Sequence, residues 1–181
     1  MRAIGRGKAA PALAVTALLA VGCGPEIAQP PPKDAHAVQV GPPGAASCLV
    51  TSPAQNAAGA AATNAPRRAA GLAPVVPDPL LARVAAAHAC DMARRGRMTH
   101  LGTTTTGPGM RVKAAGYRPA LSAENIAAGP FSLTRVLAEW TASPGHRANI
   151  LLPQIRDYGL GQALGPDGRT VYWAAVYAAP H

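Results

Sequence analysis

The stretch Trp140-Thr141-Ala142-Ser143-Pro144-Gly145-His146-Arg147-Ala148-Asn149-Ile150-Leu151 decides how this chain folds. Trp140 closes an apolar stripe of Leu133, Val136, Leu137 and Trp140 at helical spacing, and Ser132 stands where the N-cap belongs. Ser143 before Pro144 is a second cap and first-turn pair. A short helix therefore starts there and carries His146, Arg147 and Ile150. Just upstream, Ser122–Ala128 reads as a strand. Downstream, Tyr158–Ala163 and Thr170–Ala178 read as two strands joined by the turn Pro166-Asp167-Gly168.

Working back toward the N-terminus, residues 101–109 hold four threonines, three glycines and a proline, and form a loop. A short helix follows around Met110–Ala115 and stops at Gly116. Asp78 before Pro79 opens a long helix whose face is Leu80, Leu81, Val84, Ala87, His88 and Met92, and Gly96 ends it. Residues 53–70 are Ala-rich and predict one or two helical stretches with a break near Pro66. The order of helices, strand, helices and hairpin predicts an α+β domain with a small antiparallel sheet.

Composition sets the outer limits. The chain has 181 residues, a formal charge of +9, 49% hydrophobic residues and 4% aromatics. Forty-two alanines reconcile the high apolar share with the few large side chains. This apolar fraction excludes a wholly disordered chain. The 19 Gly and 19 Pro exclude a coiled coil. Three cysteines exclude a disulfide-dense miniprotein.

The N-terminus reads as an address. Arg2, Arg6 and Lys8 precede an uncharged apolar run, Ala9–Val21, too short to span a bilayer comfortably. Residues 1–22 are expected to be a signal peptide. Ala20-Val21-Gly22-Cys23 resembles the lipobox of bacterial lipoproteins, although Leu is more usual where Ala20 stands. That resemblance makes Cys23 the lipidation site; the alternative is a plain signal peptide cut nearby. Removing residues 1–22 leaves fourteen basic and eight acidic side chains, a formal +6. Arg94, Arg95 and Arg97 sit at a helix C-terminus, where cations suit the dipole. No nucleic-acid module accompanies them, so no nucleic-acid partner is expected.

Residues 23–46 contain Pro25, Pro30, Pro31, Pro32, Pro42 and Pro43 without apolar periodicity. They are expected to form a Pro-rich tether. The folded domain is then 47–181, enough for one core, and a monomer is expected. Export favours a disulfide between the two remaining cysteines, Cys48 and Cys90, over two buried free thiols.

Several segments together resemble the bacterial branch of the CAP superfamily, whose SCP domain is shared by cysteine-rich secretory, antigen 5 and pathogenesis-related 1 proteins. They are Leu80…His88-Ala89…Asp91-Met92-Ala93, Met98-Thr99-His100, Arg111…Ala115-Gly116-Tyr117, Ala123-Glu124-Asn125-Ile126-Ala127, the Trp140–Leu151 stretch, Gly159-Leu160-Gly161 and Tyr172-Trp173. The match covers roughly residues 60–178. The resemblance implies an α-β-α sandwich with the sheet flanked by helices, an extracytoplasmic location and a central cavity. The cavity of that family carries two histidines and two acids. These map onto His100, Glu124 and His146. The second acid would fall near Ser143, where no carboxylate stands, and Glu139 is not assumed to replace it.

Two imidazoles and a carboxylate from three segments suit a divalent metal such as zinc with open positions. They also suit acid–base work, so His100, Glu124 and His146 are the catalytic candidates too. The plain alternative is a hydrogen-bonded network in which Glu124 ties the strand to the segments bearing the two histidines. Ser143 and His146 invite a serine-hydrolase reading, but Ser143 suits an N-cap and no Gly-x-Ser-x-Gly is present. His88 reads as half-buried packing. His36 in the tether and His181 at the end are assigned no role. The leading expectation is an envelope-anchored binding protein, held at the membrane through Cys23 or else periplasmic or secreted, taking a lipid, sterol or glycan. The alternative is a metal-assisted hydrolase of peptide or cell-wall substrates.

Overall fold

The computed structural model describes residues 33–181. The expected signal peptide, Cys23 and the first part of the tether lie outside the described residues. Twelve elements follow along the described chain: β1 (Val38–Gln39), β2 (Ser47–Cys48), α1 (Pro53–Ala69), β3 (Val76–Pro77), α2 (Pro79–Arg95), β4 (Arg97–Met98), α3 (Pro108–Ala114), β5 (Pro119–Gly129), α4 (Leu133–Ala142), α5 (Pro144–Ile150), β6 (Asp157–Leu164) and β7 (Val171–Pro180). The main sheet runs β2-β6-β7-β5, antiparallel throughout, with β3 added in parallel against the start of β6. β1 and β4 form a separate antiparallel ladder of two pairs, Val38↔Met98 and Gln39↔Arg97.

Period-two alternation along β7 builds the two cores. Tyr172, Ala174, Val176 and Ala178 pack with α2 residues Leu81, Val84, Ala85, Ala89 and Met92 and with Val112 of α3. Trp173, Ala175 and Tyr177 pack on the opposite face with Ala60 of α1, Val136 and Trp140 of α4 and Ile150 of α5. Helices thus cover both faces, and the α-β-α sandwich expected from the sequence is the observed fold.

α2 begins and ends as its sequence predicts. The Asp78 carboxylate accepts from the Leu81 N–H at 2.8 Å, Pro79 is the first helical residue, and Gly96 closes the helix at φ 62°. Gly159 and Gly161 let this helix lie directly on β6. A Cβ on Gly159 would collide with the Leu81 carbonyl carbon, and one on Gly161 with the Ala86 nitrogen. Cys48 on β2 is bonded to Cys90 of α2, with Cα atoms 5.1 Å apart, so the expected disulfide is present.

α1 runs unbroken through Pro66. A reciprocal cap between Ser52 and Gln55 starts it, and Pro66, in its last turn, forgoes only its own bond to the Ala62 carbonyl while the helix continues to Ala69. The next residue, Arg67, is fully buried. Its guanidinium donates to the carbonyls of Ala73, Ile150 and Leu152, each at 2.8 Å. α1 is thereby clamped to the end of α5, which carries His146.

The expected tether is not free along its second half. Residues 34–44 lie against the end of α2 and β4. The Val40 and Gly41 N–H groups donate to the Gly96 carbonyl at 2.8 and 3.0 Å, and the Gly44 N–H donates to Arg94 O at 2.9 Å. Gln39 Nε2 donates to the same Gly96 oxygen at 3.1 Å. Such backbone bonds need no apolar periodicity, which is why a Pro-rich composition concealed them.

Candidate functional site

β5 is the end strand of the main sheet, so among the described residues its outer edge has no strand partner. Side chains cover that edge instead. Asn149 Nδ2 donates to the Glu124 carbonyl at 3.1 Å, and the Trp140 indole donates to the Ile126 carbonyl at 3.3 Å. Asn125, one residue between, donates to the His146 carbonyl at 3.1 Å. α4 and α5 are thus fastened to the strand that bears Glu124, and His146 is held at its edge.

His100 arrives from the other side. Its Nδ1 lies 2.9 Å from Glu124 Oε1. Glu124 Oε2 accepts from Arg111 Nη2, and Arg111 Nη1 donates to the His100 carbonyl at 2.9 Å. The Glu124 side chain is 1% exposed and that of Arg111 9%. Burial pushes the Glu124 carboxyl up. The hydrogen bond from His100 and the Arg111 charge outweigh burial and hold it below its ordinary range. An ionised carboxylate can only accept, so His100 Nδ1 donates to Glu124.

His88 belongs to the same network. It is fully buried rather than half-buried packing, with Nε2 2.9 Å from the Thr99 carbonyl and 3.6 Å from Glu124 Oε1. A carbonyl cannot donate, so the proton is on Nε2. Burial lowers the His88 pKa, against the pull of Glu124, and keeps the ring neutral. His146 is also lowered, first by burial and then by His100 and His36.

A cavity of about 710 Å³ lies along this edge. Val38, Ile126, Phe131 and Trp140 supply its apolar wall, and His36, His100 and His146 its imidazoles. Glu124, Glu139, Ser143 and Asn149 also line it. The structure therefore brings His100, Glu124 and His146 to one cavity. Besides His88, three cavity residues differ from the sequence reading or go beyond it. Ser143 occupies the N-cap position of α5, but its side chain makes no cap bond and lines the cavity. Glu139 reaches the cavity and is paired with Arg135 at 2.6 Å. His36, assigned no role in the tether, lines the cavity beside His100. Arg111, whose segment was part of the resemblance, proves to be the counter-charge of Glu124. Spacing carried no signal for it, because two separate elements, α3 and β5, create the pair.

The donor set fits a divalent metal poorly. Both Glu124 oxygens are already bonded, one by His100 and one by Arg111, and ligation would break that pair. Among the described residues, no group of three or more His, Cys, Asp or Glu side chains is gathered closely enough to hold a metal ion.

Fold and site together define a class: an α-β-α sandwich with a histidine-lined cavity on the free edge of its sheet. Residues 60–177 match the profile of the cysteine-rich secretory protein family, known as CAP, and the chain belongs to that family. It is 35% identical over 99 residues to the protein YkwD of Bacillus subtilis (strain 168), a match spanning 55% of this chain and 38% of YkwD. A solved extracellular protein containing a SCP domain from Bacillus anthracis is 28% identical with a TM-score of 0.57, over 65% of this chain and 37% of that one. A solved outer surface protein from Borrelia burgdorferi shares the fold at a TM-score of 0.64 and 19% identity, over 76% of this chain and 99% of its own. This chain therefore spans less than two fifths of the length of the two Bacillus proteins.

Proposed function

We propose that this protein works outside the cytoplasm as a ligand-binding domain whose β5-edge cavity takes an amphipathic small molecule of the lipid class. One observation carries the reading. The only carboxylate within the His100–Glu124–Arg111 cluster is buried and neutralised, so the cavity offers imidazoles and an apolar wall. Ligand pockets of this size commonly combine mostly apolar lining with a few placed polar groups. The leader-like residues 1–22, the Cys48–Cys90 bond and relatives described as extracellular or outer-surface support the location. Attachment to the membrane through Cys23 belongs to the same proposal.

Purification of the full-length protein from its envelope, followed by solvent extraction and mass spectrometry, tests it. A stoichiometric amphiphile is expected, and Trp140→Ala should lose it. Neither co-purified amphiphile nor binding of a fluorescent fatty acid would overturn the reading. Hydrolysis of peptide or murein by the purified protein, abolished in His146→Ala, would replace it with the hydrolase.

A further inference from the structure

Asp34 holds the start of the strap formed by residues 34–41. Its Oδ2 accepts from Thr99 Oγ1 at 2.7 Å and from the His100 N–H at 2.6 Å. Its Oδ1 accepts from the His36 N–H at 2.9 Å, which closes the turn. β1 then pairs with β4, and Gln39, Val40 and Gly41 all bond to Gly96 O. Held at both ends, the strap sets the His36 ring 6.3 Å from that of His100, edge to face at 88°.

His36 and His146 share a cavity with two carboxylates, and both are engaged elsewhere: Glu124 by His100 and Arg111, Glu139 by Arg135. Asp34 spends both oxygens on Thr99, His100 and the His36 backbone. Imidazole N–H groups facing a cavity whose buried carboxylate is already neutralised are complementary to an anionic oxygen brought by the ligand.

We propose that the strap is a wall of the binding site, and that His36, together with His100 and His146, receives the anionic head of the amphiphile, a carboxylate or phosphate, while its chain lies on Val38, Phe131 and Trp140. His36 acts by direct contact, and Asp34 is a positioning residue. The inference rests on the amphiphile-binding reading and names the head group that reading leaves open.

The test is a fluorescence titration of the full-length protein with cis-parinaric acid and with its methyl ester, which has the same chain and no charge. The acid should bind more tightly than the ester. His36→Ala should weaken the acid roughly tenfold, the worth of one hydrogen bond to a charged group, and leave the ester unchanged. Asp34→Asn should reproduce part of that loss and speed amide exchange at Val40 and Gly41. Dioctanoyl phosphatidic acid should displace the probe and inorganic phosphate should not. Displacement by phosphate alone as effective as by the lipid would mean a free-anion site and overturn the proposal. Equal binding of acid and ester, or a His36→Ala protein indistinguishable from wild type, would also overturn it while leaving the amphiphile reading intact. Failure of both probes to bind would remove the amphiphile reading itself.

Discussion

Glu124 Oε2 and Arg111 Nη2 form an ion pair at 2.5 Å, with both side chains nearly closed to water. Removing one member of a buried pair strands the other charge, which costs about 3–5 kcal/mol. Glu124→Gln should therefore lower the unfolding free energy by about that much in urea titration. Arg111→Met should do likewise. The double variant should recover much of the loss, and simple additivity would show that the pair is not coupled.

Gly159 and Gly161 face α2 backbone rather than movable side chains. Ala at either position must push the helix off the sheet, at a cost beyond the roughly 1–3 kcal/mol typical of overpacking. Gly145, with nothing within 4 Å of a built Cβ, is the control. Thermal midpoints should fall steeply for Gly159→Ala and Gly161→Ala and stay level for Gly145→Ala.

The Cys48–Cys90 bond joins residues 42 positions apart and anchors a strand of two. Loop entropy alone assigns it roughly 4 kcal/mol. A Cys48→Ser/Cys90→Ser double variant should melt well below wild type, and reductant should lower the wild type to the same midpoint. Reductant without effect would mean that the bond contributes nothing.

At Gly96 the backbone has φ 62°, and a Cβ would collide with Gly41 O. Gly96→Ala combines the roughly 1 kcal/mol cost of that backbone region for an L-residue with displacement of the strap. Hydrogen exchange at Val40 and Gly41 should accelerate while the middle of α2 stays protected. Equal loosening of both would show that the strap and helix unfold together.

Asp167 in the β6–β7 turn accepts from the Thr170 hydroxyl at 2.6 Å and from the Thr170 and Arg169 amides. These bonds hold its carboxyl down at about 2. The folded value lies below the unfolded one, about 3.9. Its contribution is therefore complete above the unfolded value and is lost as pH falls through about 2. The Thr170 amide resonance should titrate with a midpoint near 2, and in Asp167→Asn it should not titrate there.

The elements that announced themselves in the sequence are those whose signals are local. Asp78, Pro79 and Gly96 mark α2 within a single turn at each end, and β7 writes its two faces in strict alternation. His100, Glu124 and His146 were gathered through resemblance, since three distant segments share no spacing rule. What stayed hidden is tertiary. β1 and β4 are two residues each, too short for any period to show. Ser143 looked like a cap because composition marks the position and not where the hydroxyl turns. Arg111 and His36 acquire their roles from neighbours 13 and 64 positions away, Glu124 and His100.

Where the domain begins also changes. Composition sets the boundary at Ser47, after the last proline cluster. A recombinant version started there would fold around the same sheet and keep the disulfide. It would also leave behind Asp34, His36 and Val38, removing the acceptor of the His100 amide and one side of the cavity. On the proposed reading, assays on such a shortened protein would report an empty site while the intact chain bound the amphiphile.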